Sequence, residues 1–193
     1  MRITVKIGSN VLTRKDGSLD LTRMSALVDQ IATLYKQGVQ IVLVSSGAVA
    51  FGRSLLKGQV DISQIDEVQQ RQLFSAVGQT KLIDKYYEFF REWGIMCGQV
   101  LTTKVGLSTP DQRENQQRCM ETMLEQGVIP IVNENDTISI TEQVDDFIKA
   151  YSKLVSFYAT PNPTYVAINQ NKFRYFGFYK AMFDFLVKAE PKV

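Results

Sequence analysis

The sequence predicts a three-layer α/β/α fold built on a mostly parallel sheet, and three observations predict it. First, Ile41-Val42-Leu43-Val44 is an unbroken apolar run that stops at Ser45-Ser46-Gly47, the habit of a strand buried on both faces by helices. Second, a strand pattern over residues 2–8, a helical pattern from Leu21 to Tyr35 and that apolar run follow one another as a βαβ unit. A parallel pair joined by a right-handed crossover is then expected. Third, two further apolar strands, over residues 95–101 and 128–132, continue the rhythm with a helical stretch before each.

In chain order, residues 2–8 alternate polar and apolar, with Ile3, Val5 and Ile7 on one face and the strand ending at Gly8. Lys6 stands near the carboxyl end of this strand, where a solvent-facing lysine is the plain alternative to a functional one. Ser9-Asn10 and Arg14-Lys15-Asp16-Gly17-Ser18 carry turn chemistry and predict a loop or small hairpin. Asp20 is an N-cap for a helix with Leu21, Met24, Leu27, Val28, Ile31, Leu34 and Tyr35 on one face, and Gly38 stops it.

The buried strand over residues 39–44 follows, and Ser45-Ser46-Gly47 then reads as a βα turn with a serine N-cap. Residues 53–93 are helical in pattern, interrupted around 58–63, with a small-residue contact at Ala76-Val77-Gly78-Gln79. After the strand at 95–101, residues 102–110 form a loop and residues 111–126 a helix stopped by Gly127. The strand at 128–132 runs into Asn133-Glu134-Asn135-Asp136. From about Glu142 aromatic residues become dense, the βα rhythm stops, and Thr160-Pro161-Asn162-Pro163 reads as a linker or turn. The expected division is an acceptor-binding part over residues 1–142 and a divergent, aromatic-rich segment over residues 143–193.

Composition narrows the function classes. At 193 residues, with 45% hydrophobic and 22% charged, the chain is long enough for a sizeable core. A net charge of +2 gives no electrostatic reason to expect nucleic acid or a membrane surface. The only cysteines, Cys97 and Cys119, form no C-x-x-C pair, which predicts a reduced compartment, the cytoplasm. No apolar stretch approaches transmembrane length, and no signal peptide is expected. The absence of histidine excludes a Ser-His-Asp or Cys-His nucleophile system, a histidine-ligated zinc and histidine phosphotransfer. Asp145-Asp146 reads as a solvated loop, not a metal pair, and Arg113 and Arg118 read as helix surface.

Three loops should therefore meet at one edge of the sheet, each at a strand carboxyl end, where open α/β sheets bind ligands. Lys6-Ile7-Gly8-Ser9 supplies a lysine, Ser45-Ser46-Gly47-Ala48 hydroxyls and open backbone N–H groups, and Asn133-Glu134-Asn135-Asp136 a carboxylate with side-chain amides. That set suits phosphoryl transfer, which needs charge placed around the moving group and a correctly held acceptor.

These same residues carry a resemblance. Val5-Lys6-Ile7-Gly8-Ser9, the run from Val44 to Gly52, Ala76-Val77-Gly78-Gln79 and the run from Ile129 to Thr137 together resemble the glutamate-phosphorylating members of the amino acid kinase family. The match is in register from Met1 to about Glu142. It implies ATP-dependent phosphorylation of the γ-carboxylate of L-glutamate, the first step of proline synthesis, with Mg²⁺ accompanying ATP. By resemblance, Lys6 neutralises the transferring phosphoryl group, with Gly8 and Ser9 offering backbone N–H groups beside it. Ser46, with Gly47 and Ala48, and Asp136 hold glutamate, and Asn133 is a polar residue of the same loop. No protein-held metal is expected; the resemblance favours a homo-oligomer, with proline as a candidate feedback ligand.

Beyond Glu142 the family's Gly/Asp-Asn-Asp motif and its adenine- and ribose-binding half have no counterpart; the chain reads Gln143-Val144-Asp145-Asp146-Phe147-Ile148 instead. Residues 105–117 also read less like the family than their flanks. Three functional readings stay open: a working glutamate kinase, a kinase of the same family with another acceptor, or an inactive, truncated or rearranged remnant that binds glutamate or proline or pairs with other subunits. A sheet missing its later strands is expected to leave an open edge, covered by the aromatic tail or by a partner.

Overall fold

The computed structural model describes residues 1–103 and 109–138, and the backbone of residues 164–168. Ten elements follow in the order β1 (Arg2–Ile7), α1 (Ser9–Leu12), α2 (Leu21–Lys36), β2 (Gln40–Ser45), α3 (Ala48–Leu56), α4 (Glu67–Glu92), β3 (Met96–Thr102), α5 (Pro110–Glu125), β4 (Val128–Glu134) and β5 (Thr164–Ile168). The strands form one sheet in the order β3-β4-β2-β1-β5. Every pairing in it is parallel.

The alternation of side chains along these strands divides the two faces. On one, Ile3, Val5 and Ile7 of β1 join Ile41 and Leu43 of β2 and Ile129 and Ile131 of β4. Against them pack Met24, Leu27, Val28 and Ile31 of α2 and Leu82, Tyr86 and Phe90 of α4. All of these are buried, and they form the main core. Helix α5 covers the opposite face at β3 and β4. Gly98 of β3 lies directly beneath it, and a Cβ there would come within 2.7 Å of the Met123 side chain. Two apolar faces on one sheet explain why the β2 run is unbroken where β1 alternates.

Local signals set the helix starts. The Asp20 carboxylate accepts from the Arg23 N–H, as the sequence predicts for an N-cap. Asp66 and Gln69 form a reciprocal capping box at the start of α4. Thr109 caps α5 ahead of Pro110.

The structure corrects four expectations. Ser9-Asn10 lie in a short helix rather than a loop, because the N–H groups of Val11 and Thr13 close onto the carbonyls of Gly8 and Ser9. The hairpin expected after it is reduced to one antiparallel bridge, Thr13 to Leu19. The gap between α3 and α4 runs from residue 57 to 66, wider than 58–63. Finally, β4 is not the last strand: β5, within the aromatic-rich segment, pairs with β1, Val5 opposite Val166, so of the two expected covers for the open sheet edge it is that segment which hydrogen-bonds to β1. Asp145, Asp146 and the Thr160-Pro161-Asn162-Pro163 linker lie outside the described residues.

Candidate functional site

Because β1, β2 and β4 are neighbours in the sheet and run the same way, their carboxyl ends open onto one cleft, of about 670 Å³. The three loops expected to meet do meet there. Lys6, Ser9, Ser46, Gly47, Ala48, Asn133 and Asp136 all line the cleft. Gly8 does not line it; it lies between Ile7 and Ser9, which do, as the N-cap of α1. Lys6 is half-buried and stands opposite Val44 in the β1–β2 register.

The Ser45-Ser46-Gly47 turn is built differently from the expected serine cap. The N-cap of α3 is Gly47, and no side chain caps this helix. Gly47 has φ 105°, a left-handed conformation that favours glycine, and a Cβ there would sit 3.5 Å from the Ser9 Cα. Ser46 instead faces back across the sheet: its N–H and its Oγ each donate to the Ile7 carbonyl, both at 3.1 Å. This ties the β2 loop to the β1 loop. Ser45 points the other way, into the core, where its hydroxyl is 2.9 Å from the Tyr86 hydroxyl. Burial pushes the Tyr86 phenol well above its ordinary pKa, against the opposing effect of Ser45, so it acts only as a neutral hydroxyl.

Helix α4 fixes the third loop. The Asn133 amide donates to Gln79 Oε1 at 2.6 Å, and its oxygen accepts the Glu134 N–H at 2.9 Å. Asn133 is buried, so both ends of this amide are committed within the fold. Gln72 donates to the Thr137 carbonyl at 2.9 Å, and the Asn135 N–H donates to the Thr102 carbonyl at 2.8 Å.

Arg71 adds a charged contact to the same loop. Its Nε and Nη2 both reach Asp136 Oδ1, at 3.1 and 2.6 Å, and Nη2 is 3.8 Å from Glu134 Oε2. Partial burial disfavours the guanidinium charge, but the Asp136 and Glu134 carboxylates outweigh it and raise the Arg71 pKa.

Sequence reasoning missed Arg71, Arg53, Glu67, Gln70 and Glu134, which also line the cleft. The available signal was spacing. Arg71, Gln72 and Gln79 recur at seven- and eight-residue intervals, which places them along one stripe of α4. A polar stripe ordinarily faces water, and nothing local to it shows that a loop some sixty residues on will dock there. Arg53 spends its charge partly on the Phe74 ring, 5.4 Å from its centroid.

The cleft thus carries Lys6, Arg53 and Arg71 against Glu67, Glu134 and Asp136. Such a mixture can hold a small zwitterion and balance an incoming phosphate. Among the described residues, no three carboxylates or thiols come together to hold a metal ion. No described helix is long and apolar enough to cross a membrane.

Comparison with known proteins gives a consistent result. Residues 1–151 match the model of the amino acid kinase family. The chain is 67% identical over 141 residues to the glutamate 5-kinase of Bacteroides thetaiotaomicron, covering 73% of the chain and 38% of that protein. It is 45% identical over 141 residues to the glutamate 5-kinase of Maridesulfovibrio salexigens, covering 73% of the chain and 36% of that protein. A third, from Symbiobacterium thermophilum, is 44% identical over 142 residues, covering 73% of the chain and 53% of that protein. The chain therefore spans between about a third and a half of the length of these relatives.

Proposed function

The chain belongs to the amino acid kinase family, and on that premise we propose that it takes L-glutamate as acceptor and transfers to it the γ-phosphoryl group of ATP. A γ-carboxylate oxygen of glutamate forms the new bond to phosphorus, the bond to the bridging oxygen breaks, and ADP leaves with the bonding electrons. The product is an acyl phosphate, L-glutamyl 5-phosphate, which would serve proline synthesis. The observation that carries this reading is the convergence of Lys6, the Ser46-Gly47-Ala48 turn and Asp136 in one cleft at the carboxyl edge of the sheet.

Each residue has a role suited to its place. Lys6 offsets the charge that spreads over the phosphoryl oxygens as the group moves, the work of a positioned point charge. Gly8 and Ser9 bring backbone N–H groups to the same side. Ser46 and the backbone of Gly47 and Ala48 bind glutamate, and Asp136 accepts the α-ammonium. Asn133 acts less directly, because its amide is held by Gln79 and its own chain. It keeps the loop in register so that Asp136 faces the cleft.

Mg²⁺ would accompany ATP. A cation carried on nucleotide phosphates needs few protein ligands, and the described residues form no cage for one. Proline as a feedback ligand, assembly as a homo-oligomer and a cytoplasmic setting belong to the same proposal.

The test is glutamate-dependent ADP release by the purified chain with Mg²⁺ and ATP, beside Lys6→Ala. Release that is lost in the variant supports transfer at this cleft. A folded chain that binds glutamate without releasing ADP would support an acceptor-binding protein instead. Release with aspartate, carbamate or N-acetylglutamate in preference to glutamate would assign another acceptor.

A further inference from the structure

We propose that Arg71 is a specificity-determining residue that binds the α-carboxylate of the amino acid acceptor while staying paired with Asp136. The inference rests on the proposed function and names which part of the acceptor each member of the pair would read.

The geometry of the pair leads to it. Both Arg71 hydrogen bonds converge on a single oxygen, Oδ1 of Asp136, while Nη2 also faces Glu134 Oε2 at 3.8 Å. The guanidinium has five N–H donors in a rigid fork, so Nη1 remains for another acceptor. On the other side, Oδ2 of Asp136 accepts no hydrogen bond among the described residues. An unused acceptor therefore sits beside unused donors, and both residues line the cleft. The side chain of Arg71 is 40% exposed, whereas that of Asp136 is 10% exposed, so the donor fork is the accessible member.

An α-amino acid carries the complementary pattern on one carbon: an ammonium that fits Oδ2 and a carboxylate that fits the fork. Arg71 also solves a charge problem. Asp136 and Glu134 are both buried; without a cation nearby, the two carboxylates would repel an α-carboxylate arriving with its ammonium. Arg71 lets a zwitterion enter as a neutral unit. The γ-carboxylate, at the far end of the acceptor, is left free to face Lys6.

The test uses the full chain and direct binding by titration calorimetry, so it does not depend on turnover. Three probes separate the acceptor's groups: L-glutamate; glutarate, which lacks the ammonium; and 4-aminobutyrate, which lacks the α-carboxylate. Arg71→Met is expected to weaken glutamate and glutarate by about tenfold or more, the weight of a charge-assisted contact. Binding of 4-aminobutyrate is expected to stay the same or tighten. Arg71→Lys, which restores a cation without the fork, is expected to recover part of the loss, and it carries the test if Arg71→Met does not fold.

Equal losses for glutamate and 4-aminobutyrate with glutarate spared would overturn the proposal, since Arg71 would then act only by orienting Asp136. Unchanged glutamate binding in both variants would overturn it as well. A folded wild-type chain that binds no glutamate would instead overturn the reading of the cleft itself, and the inference with it.

Discussion

Gly52 of α3 and Gly78 of α4 pack backbone against backbone. A Cβ on Gly52 would run into the Phe74 carbonyl of α4, and one on Gly78 into the Ala48 carbonyl of α3. This contact matters beyond packing. Helix α3 grows out of the Ser45-Ser46-Gly47 turn, and α4 holds the loop that carries Asp136, so the glycine pair sets the spacing between two walls of the cleft. Gly52→Ala or Gly78→Ala must push the helices apart, at a cost of about 1–3 kcal/mol or more for overpacking. Thermal denaturation should show a melting point lowered by several degrees, and glutamate binding should weaken in the same variants. An unchanged melting point for both would contradict the close approach.

The Asn133–Gln79 bond predicts a separate loss. Gln79→Leu removes the acceptor for a buried amide and leaves it unsatisfied, which costs about 1–3 kcal/mol. Urea denaturation should show a lower midpoint with the slope unchanged. If stability is retained, Asn133 finds another partner and the loop is not held from α4 in this way.

Thr4 predicts the opposite sign. Its hydroxyl is buried in β1 without a hydrogen-bond partner among the described residues. Thr4→Val keeps the shape and removes the unpaired group, so stability should hold or rise by up to about 1 kcal/mol. A fall of more than that in the denaturation midpoint would mean the hydroxyl has a partner.

The two cysteines should differ in reactivity. Burial pushes the Cys97 thiol up to about 11, while Cys119 is exposed on α5. At pH 8 roughly one Cys97 in a thousand would be thiolate, the nucleophilic form. A thiol reagent at limiting dose should label Cys119 first, and Cys97 labelling should climb with pH up to about 11. Mass spectrometry of the labelled peptides checks this; equal rates at pH 8 would contradict it.

The pairing of β5 with β1 predicts a cost for shortening the chain. Ending it at Glu142 would strip the β5 hydrogen bonds from β1 and leave an open edge, a template for association. Light scattering should show a less soluble, polydisperse protein. A monodisperse truncated chain would show that the pairing is dispensable.

How far the sequence disclosed all this depended on how local each cause was. The α2 helix was legible because its apolar residues repeat at helical spacing between Asp20 and Gly38. The three loops were legible because each follows an apolar strand, and strand ends at one edge of a parallel sheet must meet. Ser46 was misjudged as a cap because its partner, the Ile7 carbonyl, lies 39 residues away and is brought near only by strand pairing. Arg71 and Gln79 were unreadable for the same reason: a polar stripe on a long helix looks solvated until the loop that docks on it is in place. The β5 strand was hidden because it is only five residues long and stands among dense aromatics, so the Thr160-Pro161-Asn162-Pro163 signal before it read as a linker and not as a strand boundary.

The most direct test of the central claim, that glutamate is held between the Ser46 turn and the Asp136 loop, is hydrogen exchange of the chain with and without saturating L-glutamate. The account predicts slower exchange at residues 44–50 and 133–137, with the groove at the other end of the strands, around Tyr35, Gln40 and Gly127, unchanged. Protection confined to that distant groove, or no protection at the two loops from a chain that binds glutamate, would contradict it.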